Sequence, residues 1–200
     1  MAKLDEAFYL RNDVVRIAKD LIGKVLFTNI NGNVAGGIIV ETEAYSFKEK
    51  GCHAYNGRMT ERNKVMFKSG GYAYVYLCYG IHYLFNVVTN VEGKADAVLI
   101  RALEPVAGEQ FILNRMNSQS MKRTTSGPGK LTKALGIDKS LNAANLLSER
   151  VWIEDQGIKI SKNSIEASPR IGIDYAGEDA GLLWRFTIKG SEWVSKNGNR

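Results

Sequence analysis

The dipeptide Asn31-Gly32 separates two strand-like runs, KVLFTNI (residues 24–30) and GGIIVETEAY (residues 36–45). Asn-Gly readily adopts the left-handed backbone of a two-residue type I′ turn, whose twist matches that of the flanking strands. The two runs are therefore expected to pair as an antiparallel hairpin, and the first layer of the fold is a sheet. Uninterrupted alternation puts Ile39, Glu41, Glu43 and Tyr45 on one face of the return strand, and Ile38, Val40, Thr42 and Ala44 on the other. Two carboxylates on one strand face need partners if they are buried.

The rest of the chain extends this pattern. Residues 12–23 (NDVVRIAKDLIG) carry Val14, Ile17, Ala18, Leu21 and Ile22 at helical spacing, with Asn12 or Asp13 able to cap the start and Gly23 to end it. Residues 46–70 form a polar, basic stretch without periodicity, holding His53, Arg58 and Arg62. A segment of that length inside a domain is often functional. Strands are predicted over 96–105, 151–153, 158–160 and 185–189, and helices over 109–115 and 130–136. Many hairpins with a few helices predict an α+β fold around a mainly antiparallel sheet. With 200 residues, 44% hydrophobic, and only three prolines, a single domain over residues 1–200 is expected.

Bulk chemistry narrows the function classes. No apolar run approaches the roughly 20 residues needed to span a bilayer. The start, MAKLDEAFYL, lacks the basic-then-apolar order of a secretion signal, so a cytoplasmic protein is expected. Two cysteines, Cys52 and Cys78, make no disulfide framework, and with His53 and His82 they match no zinc spacing. No metal or cofactor site is predicted. The net charge is +6, with a pI near 9.2, a moderate bias toward phosphate-bearing partners. Five of the cations fall in residues 115–133, RMNSQSMKRTTSGPGKLTK, which contains no acid.

Residues 71–87, GYAYVYLCYGIHYLFNV, hold five of the nine tyrosines. Strand packing is one explanation, since Tyr and Val favour strands. The run GYAYV also fits the middle of an RNA-recognition strand, but Gly70 and Leu77 replace the flanking basic and aromatic residues. The third explanation starts from the break in alternation. Tyr74, Tyr76 and Cys78 share a face, then Tyr79-Gly80 interrupts the strand before IHYLFNVV resumes. This places Tyr79 at a hairpin tip, where a large amphipathic ring packs no core and suits wedging into a base stack. Tyr72, Tyr74 and Tyr83 are left to strand packing or without an assignment.

Six motifs then occur in order: VETEAY (40–45), RNKVMF (62–67), YVYLCYGIHYLFNV (74–87), LIRALEP (99–105), SGPGKL (126–131) and KGSEWVS (189–195). Through them the chain closely resembles the alkyladenine (3-methyladenine) DNA glycosylases of the mammalian type, which bacteria also possess. The resemblance runs from about residue 9 to residue 196. It implies a curved sheet with surrounding helices and a protruding hairpin that enters DNA. It further implies that Glu43 is the catalytic carboxylate, and that Arg101 helps hold the attacking water and a nearby phosphate. Tyr45, His53 and Tyr76 line the base pocket on this resemblance, and Asn86 discourages normal guanine through its 2-amino group. The main-chain carbonyl of Ile171 touches the water, and Tyr79 fills the gap left by the flipped nucleotide. The segment from Tyr45 to His53 is one residue shorter than in the vertebrate form, which leaves the pose of His53 open.

The implied chemistry is self-consistent. An alkylated purine is cationic, so its glycosidic bond is already weak, and one carboxylate near C1′ can stabilise developing charge and deprotonate a water. Glu41 is assigned a structural role, because a buried carboxylate needs partners. No lysine accompanies Glu43, and a lyase step through a Schiff base requires one. A monofunctional hydrolase is therefore expected. Extruding a base costs a few kcal/mol, and stacking on Tyr45 and Tyr76 returns roughly 1–3 kcal/mol per base. Arg58, Arg62 and Lys130 are expected on DNA phosphates, bound without sequence readout. The SGPGKL turn suits either one phosphate contact or a plain entry into a helix. The expected partner is double-stranded DNA carrying damaged purines, bound by a monomer and away from membranes. The alternative is a catalytically inert module that recognises flipped or single-stranded bases.

Overall fold

The computed structural model describes residues 2–196. Its first strands and helices are β1 (Ala2–Lys3), α1 (Glu6–Tyr9), α2 (Val14–Asp20), β2 (Val25–Ile30) and β3 (Asn33–Tyr45). Next come β4 (Ala73–Cys78), β5 (His82–Thr89), β6 (Asp96–Ala107), α3 (Glu109–Met116) and α4 (Pro128–Leu135). The last are β7 (Val151–Asp155), β8 (Ile165–Ser168) and β9 (Arg185–Ile188). All nine strands join one sheet ordered β1-β7-β2-β3-β6-β5-β4, with β9 beside β3 and β8 beside β9. Every pairing is antiparallel, giving the predicted α+β class.

The Asn-Gly hairpin forms as expected. Ile30 faces Asn33, with Asn31 at φ 55° and Gly32 at φ 82°, both left-handed as a type I′ turn demands. The long β3 pairs with β2 along its first half and with β9 over Glu41–Glu43. This handover from β2 to β9, with β6 continuous on the other edge, curls the sheet.

Three register shifts interrupt the β3–β6 ladder, one at Val106 and two beside the carboxylates. Ile39 faces Leu103, Glu41 faces Ala102, and Thr42 faces Ile100, so Val40 and Arg101 have no opposing residue. A bulge advances alternation by one residue and re-aims the side chain it carries. Ile39 consequently joins Ala44 in the main core rather than the face of Glu41, Glu43 and Tyr45. This corrects the uninterrupted alternation expected for the strand. On β6 Val98 and Ile100 face the core and Arg101 faces the other way, between the two carboxylates, and the slip after it turns Leu103 back into the core.

One sheet face packs on the helices. Asp13 caps α2 by accepting the Arg16 N–H, α2 buries Val14, Ile17 and Ala18, and the Thr42 hydroxyl donates to the Ala18 carbonyl at 2.9 Å. The helix is shorter at both ends than the predicted 12–23. α4 buries Leu131, Ala134 and Leu135 against the same face, and its Thr132 hydroxyl donates to the Tyr83 carbonyl. Alternate residues of the central strands serve two clusters: Val75, Val87 and Val98 face the helices, while Tyr74, Val88 and Ala97 face the other way. Onto that second face folds the irregular stretch 46–70, through Cys52, Ala54, Val65 and Met66. It contains two short 3-10 turns, Tyr55–Gly57 and Lys64–Phe67.

The predicted strand at 158–160 does not form. β7 is already flanked by β1 and β2, so no edge is open beside it. Ile160 instead lies across Gly23, where an added Cβ would come within 2.7 Å of its side chain. The sheet instead gains two strands that were not predicted: β1, only two residues long, and β8, whose four residues IEAS form by pairing with β9.

Candidate active site

The site is built on the second face, from a buried layer of charges outward. Glu41 and Glu43, from β3, are fully buried, and Arg101 from the β6 bulge lies between them. Glu41 Oε1 accepts from Arg101 Nε, Arg185 Nε and Ser195 Oγ, each at 2.8 Å, and Oε2 accepts from the Ser195 amide at 2.8 Å. Burial alone would raise the Glu41 pKa, but the guanidinium groups of Arg101 and Arg185 outweigh it and hold the carboxyl below its usual range. Four donors on one buried carboxylate agree with the structural role expected for Glu41.

Glu43 is held differently. Oε1 accepts the Ile171 amide at 2.8 Å, while Oε2 accepts the Tyr45 hydroxyl at 2.7 Å and Arg101 Nη1 at a longer 3.3 Å. The contact from Ile171 is thus made by its N–H. Burial and the neighbouring Glu43 push the Tyr45 hydroxyl well above its ordinary pKa, so it remains a donor. Arg101 stays charged because Glu43 and Glu41 more than offset its own desolvation.

These three partners, Tyr45, Arg101 and Ile171, form the floor of a cavity of about 520 Å³. Glu43 lies directly behind them. The wall is aromatic: Tyr74 and Tyr76 have ring centroids 5.2 Å apart at 30°, and His53 meets Tyr76 edge-on at 4.7 Å. The pose left open for His53 is fixed by Tyr74, whose hydroxyl lies 3.0 Å from Nδ1. Although His53 stays open to solvent on one side, desolvation and the Arg62 charge push its pKa down to about 4. Its ring is neutral at physiological pH. Tyr74 is raised to about 12, chiefly by burial, so it too is neutral.

Asn86 lines the cavity from β5 and donates to the Tyr74 carbonyl at 3.1 Å. Arg62 stands 4.9 Å over the Tyr76 ring at the rim. No lysine lines the cavity. Among the described residues no three His, Cys, Asp or Glu side chains converge as a metal site, and no helix is long and apolar enough to cross a membrane.

Several site residues escaped the sequence analysis. Buried Arg170 grips Glu49 with both Nη atoms, at 2.7 and 2.8 Å, donates to the Ala44 carbonyl, and lies 4.8 Å over the Tyr45 ring. It ties the 46–57 segment to the strand that carries Glu43. Asn63 donates to the carbonyls of His53 and Arg58, fixing the same loop from its other end. Tyr175, whose hydroxyl donates to the Gly51 carbonyl, is exposed and lines the cavity. Tyr74, given no role beyond packing, is both core and cavity wall.

β4 and β5 pair in register from Ala73–Val87 to Cys78–His82, leaving Tyr79, Gly80 and Ile81 as the turn. Tyr79 is 83% exposed at φ 51°, and Ile81 is 71% exposed. A positive φ on a bulky residue is a true outlier and costs roughly 1–2 kcal/mol. The first turn of α4 abuts the hairpin: a Cβ on Gly129 would lie 2.7 Å from the His82 ring. Exposed Lys130 is therefore near the hairpin foot, and both it and exposed Arg58 lie outside the cavity lining. Of the three cations expected on phosphates, Arg62 alone borders the cavity.

Comparison with known proteins adds a separate finding. The family model described as methylpurine-DNA glycosylase matches residues 7–192. A protein of Natranaerobius thermophilus is 47% identical over 198 residues, covering 98% of this chain and 100% of its own length. Proteins of Chlamydia felis and Carboxydothermus hydrogenoformans are each 46% identical, covering 92% and 96% of this chain and 95% and 98% of their own lengths. All three carry the provisional name 3-methyladenine DNA glycosylase.

Proposed function

The chain belongs to the methylpurine-DNA glycosylase family, and from that premise we propose that it flips alkylated purines out of duplex DNA and hydrolyses their N-glycosidic bond with a water activated by Glu43. The observation that carries this reading is a buried carboxylate set behind the floor of an aromatic-walled cavity, its position fixed by three donors from three elements.

The chemistry follows from the geometry. The contact from Arg101 Nη1 is the longest that Glu43 accepts, at 3.3 Å, and is the one a water entering over the floor displaces most easily. Glu43 takes a proton from that water as its oxygen bonds C1′. The C1′–N bond breaks, its electron pair leaves with the base, and a cationic alkylpurine departs neutral. The single-carboxylate route needs no acid for such a leaving group. Tyr45, Tyr76 and neutral His53 offer uncharged rings, whose faces favour a cationic base over a neutral one. The Asn86 amide crowds the 2-amino group of normal guanine. Lesions accepted under this reading are 3-methyladenine and 7-methylguanine, with hypoxanthine and ethenoadenine as further candidates.

Tyr79 enters the duplex from the minor groove and fills the gap left by the flipped nucleotide, with Arg58, Arg62 and Lys130 on phosphates. The protein works as a monomer and, having no cavity lysine, stops at the abasic site.

The test is base release from duplexes carrying each of these four lesions, followed by alkaline cleavage at the product. Release that leaves an intact, alkali-labile strand is expected. No release from any alkylated purine would replace this reading with that of an inert binding module. Asn86→Ala should also begin to release normal guanine; an unchanged specificity would move discrimination elsewhere.

A further inference from the structure

Arg101 divides its guanidinium unequally. Nε lies 2.8 Å from Glu41, whereas Nη1 lies 3.3 Å from Glu43. The carboxylate that wins this competition is itself locked by Arg185 on β9 and by both the amide and hydroxyl of Ser195. Ser195 belongs to the segment after β9, and that segment is clamped in turn. Arg123, from the acid-free stretch 115–133, donates Nη1 to the Glu192 carbonyl at 2.9 Å and Nη2 to the Val194 carbonyl at 3.2 Å. A run of contacts thus leads from Arg123 through residues 192–195 to Glu41, Arg101 and Glu43.

We propose that Glu41, fixed by Arg185 and by the Arg123-clamped Ser195, is a positioning residue that holds Arg101 back from Glu43, so that Glu43 can yield its Arg101 contact to water. The inference rests on the proposed hydrolysis at Glu43. Without a fixed Glu41, Arg101 would turn one guanidinium edge, with two N–H groups, onto Glu43 as a bidentate pair, the stronger geometry for arginine and carboxylate. Glu43 would then be charged but closed to water. Glu41 therefore acts on the rate of hydrolysis and leaves lesion binding alone. Arg123 is spent on carbonyls, which removes one member of the basic stretch from the set of phosphate ligands.

Four variants test this: Ser195→Ala, which keeps the backbone donor; Arg123→Gln, remote from the cavity; and Arg185→Ala compared with Arg185→Lys. The readouts are the single-turnover rate of 3-methyladenine release at saturating enzyme, the Kd for an abasic-site duplex, and the Arg101 Nε–H resonance. Ser195→Ala should slow release roughly tenfold and Arg123→Gln roughly threefold, with Kd within about twofold of wild type, as expected for coupling through one charged hydrogen bond. Arg185→Lys should recover part of the rate lost in Arg185→Ala, and the Nε–H resonance should move in Ser195→Ala. An unchanged rate in Ser195→Ala, or a loss carried by Kd, would overturn the proposal. If the wild type releases no base, the glycosylase reading falls, and an unmoved Nε–H resonance in Ser195→Ala would then overturn the network as well.

Discussion

The layer around Glu41 and Glu43 and the tip of the β4–β5 hairpin are opposite kinds of structure. In the first, two carboxylates have no exposed surface, and each accepts from three or more donors drawn from different elements. In the second, a tyrosine is held 83% exposed on a left-handed backbone, with no ring partner among the described residues. The fold accepts desolvation in one place and backbone strain in the other. Groups that act on bonds must already be oriented, whereas a group that enters a partner need only be presented. On this account the buried layer governs rate and stability, and the tip governs affinity.

Substitutions can break that division, and the largest effect belongs to the buried layer. Glu41→Ala leaves Arg101 and Arg185 buried around an empty position, and should destabilise the protein by about 3–5 kcal/mol in denaturant unfolding. The pH dependence carries a definite sign. Burial raises Glu41, yet Arg101 and Arg185 hold it below the usual carboxylate range in the fold. Its stabilisation is therefore present at neutral pH and lost in acid, as pH falls through the depressed folded value. Stability loss smaller than 1 kcal/mol in Glu41→Ala would show that the layer is not tightly coupled.

At the tip, Tyr79→Ala should weaken binding to an abasic-site duplex by roughly 10- to 100-fold, the worth of one base–aromatic stack. Its melting temperature should not fall. Tyr79→Gly sharpens the contrast, since glycine relieves the positive φ: affinity should drop as far while stability rises by roughly 1 kcal/mol. A melting temperature that falls with unchanged affinity would return Tyr79 to a packing role.

The smallest effect lies at His53, between the two regions. Desolvation and Arg62 lower its pKa from 6.5 to about 4 in the folded protein. Between those values the unfolded chain binds the extra proton, so stability falls as pH drops from 6.5 toward 4. In His53→Gln that part of the acid slope should flatten; an unaltered slope would mean that the ring is protonated in the fold.

The tip was legible in the sequence and much of the buried layer was not, for physical reasons. Tyr79 stands beside Gly80, out of step with Tyr74 and Tyr76, and both the turn and its exposure follow from local rules. The Asn31-Gly32 hairpin is local in the same way. The partners of the buried charges are remote: Arg170 is 121 residues from Glu49, and Ser195 is 154 residues from Glu41. Nothing in a single sequence pairs them. The bulges at Val40 and Arg101 were equally hidden, because alternation continues on paper where the ladder slips. That slip moved Ile39 and Leu103 to the core. Ser195 lay in a motif, KGSEWVS, that carried the family resemblance without suggesting a contact. The false strand at 158–160 arose because alternation was present while no free edge was.

The measurement that bears most directly on the division is Glu43→Gln, with single-turnover base release and duplex affinity recorded on the same preparation. Release from alkylated duplex should fall by roughly 10²- to 10⁴-fold, the usual contribution of a positioned general base, while the Kd for lesion-bearing DNA stays within about threefold of wild type. Equal release by the two proteins would contradict the account and remove Glu43 from the chemistry.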